Sequence, residues 1–449
     1  MSSPDSHVDL GAGLRTAMSR AYDVPTEIDN LEPVSAGASR DIWFFDARPS
    51  GLPTQQLILR RDPPSAPRPE QMRREAAVLR AAAETGAPVP EVVASGDGAS
   101  DVGSPYVIMR RLAGESIPRK ILREPQYAVA RERMTRQLGE IAARIHQIAP
   151  ESVPGIQSQS EFDTWVAEYG ASGPPSPALE IALKWLEEHR PPAAGTTVVH
   201  GDFRLGNILV DDGGVSGVLD WELAHIGDPM LDLGWVATKA WRFGGAGQVA
   251  GVGSLEDLIG GYAAVAGWTP SIEAVRWWQI FGSLRWAVMC RRQANRHLSG
   301  SEQSLELAMI GRRFAENEYD LLLALGLTAP RELPDPLTEI ATVDDPVFGQ
   351  PTASQLLSAV SDDLAVSREY ADRLRRGAID VVHRELLLGD ELRAAYADAL
   401  GAVGYRDERE LAADLRDGAT AINDDVLAAV RLGVEARLTV WNPRHLASS

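Results

Sequence analysis

Three side chains between Val198 and Trp235 have the types and spacing that phosphoryl transfer to a hydroxyl group can use. Asp202 follows His200-Gly201, Asn207 comes five residues later, and Asp220 ends an apolar run thirteen residues beyond that. Moving a γ-phosphoryl group asks little covalent chemistry of a protein. It needs a carboxylate to receive the proton of the incoming hydroxyl, and oxygen ligands to hold Mg²⁺ against the phosphates.

The elements that must position these groups can be read locally. Ile208-Leu209-Val210 and Val215 to Leu219 are short apolar runs rich in β-branched residues, separated by the turn sequence Asp211-Asp212-Gly213-Gly214. Pairing them as a hairpin brings Asn207, just before the first strand, beside Asp220, at the end of the second. The two could then share a metal ion, with Asp202 in the loop leading in. Taken singly, an Asp after Gly is a turn former and an Asn before a strand caps a loop. The three together, with the hairpin between them, point to chemistry.

His200-Gly201-Asp202 with Asn207, Leu219-Asp220-Trp221, Gly227-Asp228-Pro229 and Asp232 resemble the aminoglycoside phosphotransferase and choline kinase superfamily. The resemblance implies small-molecule kinases of α+β class with a bilobal, protein-kinase-like fold: a small β-rich N-lobe and a larger helical C-lobe. It also implies ATP and Mg²⁺ as cofactors, Asp202 as catalytic base, and Asn207 and Asp220 as Mg²⁺ ligands. His200 and Arg204 complete the candidate catalytic set, with His200 expected to orient the loop and not to act as base. No APE-type segment or activation loop follows Asp220, which argues against a protein kinase.

Composition sets limits on the alternatives. At 449 residues the chain is too long for one typical domain. The expected division is an N-lobe over 1–110, a C-lobe over 111–328, a linker over 329–350 and a helical accessory domain over 351–449. A net charge of −19 makes a general nucleic-acid-binding surface improbable. No apolar run approaches the roughly 18–20 residues that span a bilayer. The opening MSSPDSHVDLGAGLRTAMSR lacks the charged-then-apolar order of an export signal, so the expected setting is cytoplasmic. The single cysteine, Cys290, excludes an intrachain disulfide and a cysteine-based metal cluster.

The basic residues carry a sharper message. Only Lys120, Lys184 and Lys239 are lysines among 44 lysines and arginines, and none precedes position 120. Kinases of this fold usually hold the phosphates with a lysine on the third N-lobe strand, paired to a helix glutamate. Here Gln56-Leu57-Ile58-Leu59-Arg60 reads as that strand, so Arg60 is the expected phosphate cation, and alternation turns Arg61 to the opposite face. Glu75 is the expected partner: in a helix from about Glu70 to Glu84 it borders the stripe marked by Met72 and Leu79. The departure from lysine also leaves open a rival reading, a nucleotide-binding pseudokinase that recruits partners.

The segment Pro33 to Arg40 is rich in small residues and precedes the strand-like Ile42-Trp43-Phe44-Phe45. Ser35, Gly37 and Ser39 are its candidate phosphate-loop positions, where backbone N–H groups can face phosphate. Tyr106 to Arg110 reads as the last N-lobe strand, with adenine expected against backbone near Met109 to Leu112. Asp228 before Pro229 reads as a helix cap. Asp232, on that helix, is implied by the resemblance to brace the catalytic loop. His146 reads as a packed histidine, and Glu222 and His225, close after Asp220, read as loop contacts, with a metal or substrate contact the alternative for either.

The acceptor is expected to be a small molecule bearing a hydroxyl. Arg285, Arg292 and Arg296 fall on one helical face in a tryptophan-rich stretch, read either as a solvated basic face or as the rim of a site for an anionic substrate. Aminoglycosides are polycations and fit that stretch poorly. The run from Arg285 to Leu322 is similar to the branch of kinase domains fused to acyl-CoA dehydrogenases, which implies an acceptor of the hydroxyacyl-CoA kind. After the proline-rich linker, apolar spacings such as Leu356, Val360, Leu364 and Val426, Val430, Val434 predict three to five helices. This part resembles an uncharacterised helical domain found beside such phosphotransferases. An interaction role, through a homodimer or a protein partner, is its expected use.

Overall fold

A computed structural model describes residues 5–34, 40–98, 102–338, 352–367 and 369–448. Packing divides the chain into two compact units that interleave along the sequence. The first comprises Met1–Gln159, Pro192–Ala237 and Trp241–Val275; the second comprises Ser160–Pro191, Thr238–Ala240 and Arg276–Ser449.

The first unit opens with helix α1 (Asp5–Tyr22) and an antiparallel sheet of β1 (Thr26–Pro33), β2 (Asp41–Pro49), β3 (Gln55–Arg61), β4 (Val92–Gly96) and β5 (Tyr106–Arg110), in the order β1-β2-β3-β5-β4. Alternation decides what each face does. Phe45, Ala47, Leu57, Leu59 and Ile108 point to one side and form a core with Leu10, Leu14 and Met18 of α1. The opposite side carries Phe44, Ile58 and Met109, in register across three strands, and Arg60 beside Ile42. Helix α2 (Pro69–Glu84) begins with proline at its first position, where no N–H partner is lost, and buries Met72, Glu75, Ala76 and Leu79.

The rest of this unit is α3 (Pro118–Arg123), α4 (Ala128–Ile145), strand β6 (Thr197–Val199), hairpin β7 (Ile208–Asp211) and β8 (Gly214–Val218), strand β9 (His225–Gly227), and helices α7 (Met230–Ala237) and α8 (Leu255–Ala266). Strands β6 and β9 pair, and so tie together the two ends of the stretch from Thr197 to Gly227.

The second unit is helical. It holds α5 (Glu161–Ser172), α6 (Pro177–Glu188), most of α9 (Ile272–Leu298), α10 (Leu305–Arg312), α11 (Phe314–Ala324), α12 (Ala353–Ala365), α13 (Tyr370–Ala402), α14 (Glu408–Asp417) and α15 (Asp424–Trp441). Among the described residues, helices α12 to α15 do not form a separate core. Leu411, Leu415, Val430 and Val434 share one core with Ala178 and Ile181 of α6 and Tyr319 and Leu322 of α11. Among the described residues no helix is long and apolar enough to cross a membrane.

One expectation fails in this unit. Arg285 is not part of a basic face. It is 2% exposed, lies 3.4 Å from Glu161 and stands over the Trp165 ring, while Arg292 is exposed and Arg296 is held by Gln293 and Glu302. Helical spacing put the three on one side, but α5 covers that side at Arg285 and so removes the arginine from water. They form no common rim for an anion.

Candidate active site

Within the first unit the hairpin does what its sequence requires. Ile208 pairs with Val218, and the Leu219 N–H donates to the Asn207 carbonyl at 2.8 Å, so Asn207 and Asp220 end side by side. Asp220 has φ of 63° and ψ of 67°, a left-handed conformation that Asp tolerates better than most residues. Gly201 has φ of +78°, and a Cβ there would come within 2.4 Å of the Leu223 carbonyl. Only glycine fits between histidine and aspartate at that turn.

The loop from His200 is fixed through its backbone. Asp232 accepts the N–H groups of His200 at 2.7 Å on Oδ2 and Gly201 at 3.0 Å on Oδ1, and His146 Nε2 bonds Oδ2 as well at 3.1 Å. Burial pushes the Asp232 carboxyl up, but His146 and His200 outweigh burial and hold it below the usual carboxylate range. The Asp202 N–H donates to His200 Nδ1 at 3.1 Å, and Nε2 of the same ring meets the Leu219 carbonyl at 3.0 Å. His200 is fully buried, and its ring bridges the Asp202 loop and the end of the strand before Asp220. Asp228 caps α7 by accepting the Met230 N–H, and His146 is packed against Tyr262, as their sequence contexts imply.

The Asp202 carboxylate is crowded with donors. Trp235 Nε1 donates to Oδ1 at 2.7 Å, Asn207 Nδ2 to Oδ2 at 2.6 Å, and Arg204 Nε bridges both oxygens at 3.0 and 3.2 Å. The Arg204 guanidinium lies over the Trp241 ring, 4.5 Å from its centre. Asn207 Nδ2 also donates to the Asp202 carbonyl at 3.0 Å. Both amide hydrogens are thus turned inward, which leaves the oxygen as the end of this side chain suited to a cation.

A cavity of about 560 Å³ lies beside these groups. Phe44, Ile58, Leu79, Met109, Leu209 and Leu219 line it, an apolar wall of the size and character that takes a planar base. Its polar end holds Arg40, Arg60, Glu75, Asn207, Asp220 and Glu222. Arg60 Nη1 bonds Glu75 at 2.6 Å, and Nη2 reaches Asp220 at 2.8 Å and Glu222 at 3.4 Å. Burial pulls the Arg60 guanidinium down, and Glu75, Asp220 and Glu222 more than reverse it, so its value is raised. The Glu222 carboxyl is pushed up by burial and by neighbouring Asp220, against the pull of Arg60.

These residues fit a magnesium nucleotide. Asp220 is the more open carboxylate, its side chain 39% exposed, and an amide oxygen with one carboxylate suits a hard cation that takes its remaining ligands from phosphate and water. Among the described residues no cluster of three or more His, Cys, Asp or Glu side chains could hold a metal by itself.

Sequence reasoning brought Arg60 and Glu75 together, with Arg61 turned away to Asp41. It missed Arg40, which is 4% exposed, bonds the second Glu75 oxygen and lies 3.3 Å from Asp62. Its place just before the strand residue Ile42, the register partner of Arg60, was the available signal. It also missed Trp235, and it took Glu222 for a loop contact where the structure sets it against the cavity. His225 does make a loop contact, to the Leu223 carbonyl. Ser35, Gly37 and Ser39 lie outside the described residues.

The phosphotransferase enzyme family matches residues 30–268, more than half of the chain, and a domain of unknown function, DUF6285, matches residues 362–445. Mouse acyl-CoA dehydrogenase family member 10 is 27% identical over 313 residues, 63% of this chain, and the chain spans only 29% of that protein's length. Viomycin phosphotransferase of Streptomyces vinaceus is 29% identical over 255 residues, covering 53% of this chain and 80% of that one. A candidate aminoglycoside phosphotransferase from Ralstonia eutropha has the same fold over 70% of this chain and 97% of its own, with a TM-score of 0.54 at 21% identity.

Proposed function

The chain belongs to the phosphotransferase enzyme family, and we propose that it moves the γ-phosphoryl group of ATP to a hydroxyl of a small anionic metabolite. The observation that carries this reading is the meeting of Asp202, Asn207 and Asp220 at one end of a hairpin, next to a cavity with an apolar wall and an arginine–glutamate pair. Asp202 receives the proton as the acceptor oxygen bonds to phosphorus and the bond to the bridging oxygen of ADP breaks. Arg60 turns from Asp220 to the phosphates while Glu75 keeps its other side. Mg²⁺ held by Asn207 and Asp220 would neutralise charge on the phosphate oxygens. Ser35, Gly37 and Ser39 are proposed as phosphate-binding positions, and Met109 as a border of the adenine.

Arg204 bears on the acceptor. While it bridges both Asp202 oxygens the base cannot take a proton freely, so the acceptor must draw it away. An anionic group near the reacting hydroxyl would do so, whereas a polycation would be repelled. Separately from Arg204, the likeness to acyl-CoA dehydrogenase family member 10 supports an acceptor of the hydroxyacyl-CoA kind, whose charge lies on the CoA phosphates.

The test is transfer of labelled phosphate from ATP into a metabolite extract. Wild type should label an acidic product, and Asp202→Asn should lose about 10³-fold or more of that rate while binding Mg·ATP nearly as well. Equal labelling by both proteins would remove Asp202 as base. Nucleotide binding without transfer to any acceptor would favour the pseudokinase reading.

A further inference from the structure

One turn of α7 makes two different contacts with the catalytic loop. Asp232 takes the backbone N–H groups of His200 and Gly201, and Trp235, three residues on and so on the same helical face, gives its indole N–H to the Asp202 carboxylate. Nothing in phosphoryl transfer demands an indole there. A phenylalanine would fill the same apolar space without placing a donor on the base.

The donors on Asp202 are unequal. Trp235 is 1% exposed and its ring is set edge-on against Trp241 at 5.1 Å, so the indole has little freedom to turn. Arg204 has a quarter of its side chain exposed and rests on the outer ring, Trp241. A carboxylate on a single Cα–Cβ stem rotates easily unless both oxygens are held. Asn207 holds Oδ2, and Trp235 holds Oδ1. With these two bonds kept and the arginine gone, each oxygen has one accepting direction left.

Resting on the assignment of Asp202 as base, we propose that Trp235 is a positioning residue: its indole N–H fixes the plane of the Asp202 carboxylate, so that the carboxylate stays aligned with the acceptor when Arg204 leaves. The fixed donor comes from the helix core and the exchangeable donor from the loop. The base therefore needs no reorientation during the reaction.

The experiment compares Trp235→Phe, Trp235→His and Asp202→Asn, with Trp277→Phe as a control that loses a buried indole hydrogen bond to the Leu186 carbonyl in the other unit. The probe reaction is transfer of labelled phosphate from Mg·ATP into a metabolite extract, whose acceptor displaces Arg204. Trp235→Phe should lower kcat about tenfold with KM for ATP changed less than about twofold, and Trp235→His, which keeps a ring donor, should retain more activity than Phe. Trp277→Phe should lower Tm and leave kcat alone. Independently of turnover, an indole N–H resonance of wild type must move in Asp202→Asn, a readout that survives if neither Trp235 variant folds. Unchanged kcat in Trp235→Phe, or no indole resonance moved by Asp202→Asn, overturns the inference. Failure of the base assignment looks different: Asp202→Asn then turns over like wild type while the indole signal still moves.

Discussion

Both units of this protein join arginines to carboxylates, and they do so in opposite ways. In the second, Glu318 is 1% exposed and accepts two bonds from Arg437, at 2.8 and 3.0 Å, and one from Ser176 at 2.6 Å. Asp320, 4% exposed, has Lys239 and His445. Burial pushes the Asp320 carboxyl up, and His445 and Lys239 overcome that and hold it low. The Glu318 and Asp320 carboxylates are sealed, although Arg437 also donates to Glu408 at 2.8 Å. In the first unit Arg60 is divided among Glu75, Asp220 and Glu222 at the polar end of a cavity, and Asp202 is bridged by Arg204, which leaves in the proposed reaction. The same ion-pair chemistry is structural where it is sealed. It is exchangeable where it faces a cavity, because an incoming ligand can replace one partner without exposing the other.

That contrast can be broken by experiment. The largest stability effect is expected from Arg437→Met, which strands the buried Glu318 and should cost about 3 kcal/mol or more, read as a drop in denaturant midpoint with the ATP affinity of the folded protein unchanged. Arg60→Ala should do the reverse. Arg40 keeps Glu75 paired, so the midpoint should hardly move, while Mg·ATP affinity measured by calorimetry falls about tenfold to a hundredfold. Arg60→Lys should recover part of the affinity. Equal ATP affinity in all three would remove Arg60 from the phosphate site.

A smaller effect separates the bracing groups from the reacting ones. Because the folded Asp232 carboxyl is held low, its contribution to stability is present above the unfolded value of about 3.9 and is lost as pH falls below that, through the folded value. Asp232→Asn should therefore cost about 1–3 kcal/mol at neutral pH, and the gap from wild type should close as the solution is taken toward pH 3. A gap that stayed constant with pH would mean that Asp232 acts by shape alone.

The candidate site was legible in the sequence where contacts are local or periodic. The hairpin that joins Asn207 to Asp220 lies within fourteen residues, and its turn composition and β-branched runs suffice to pair it. The Arg60–Glu75 pair followed from the family resemblance, with strand alternation and a helical stripe selecting the two residues. The accessory helices were legible as helices, since their apolar spacing is intrinsic. Their packing against α6 and α11 was not, because helical spacing names a buried face and not its partner. The same gap misled the reading of Arg285, whose covering helix begins more than a hundred residues earlier.

Sequence alone determined the candidate set, because the order of His200, Gly201, Asp202, Asn207 and Asp220 carries the family resemblance and one tight hairpin brings Asn207 to Asp220. Tertiary structure decided which partners those groups keep and which they can exchange. Arg40 on Glu75, Arg60 on Asp220 and Trp235 on Asp202 join residues 35, 160 and 33 positions apart. No local propensity encodes such meetings. They exist because sheet, helix and loop are packed together, and burial then makes every unpaired charge too costly to leave alone.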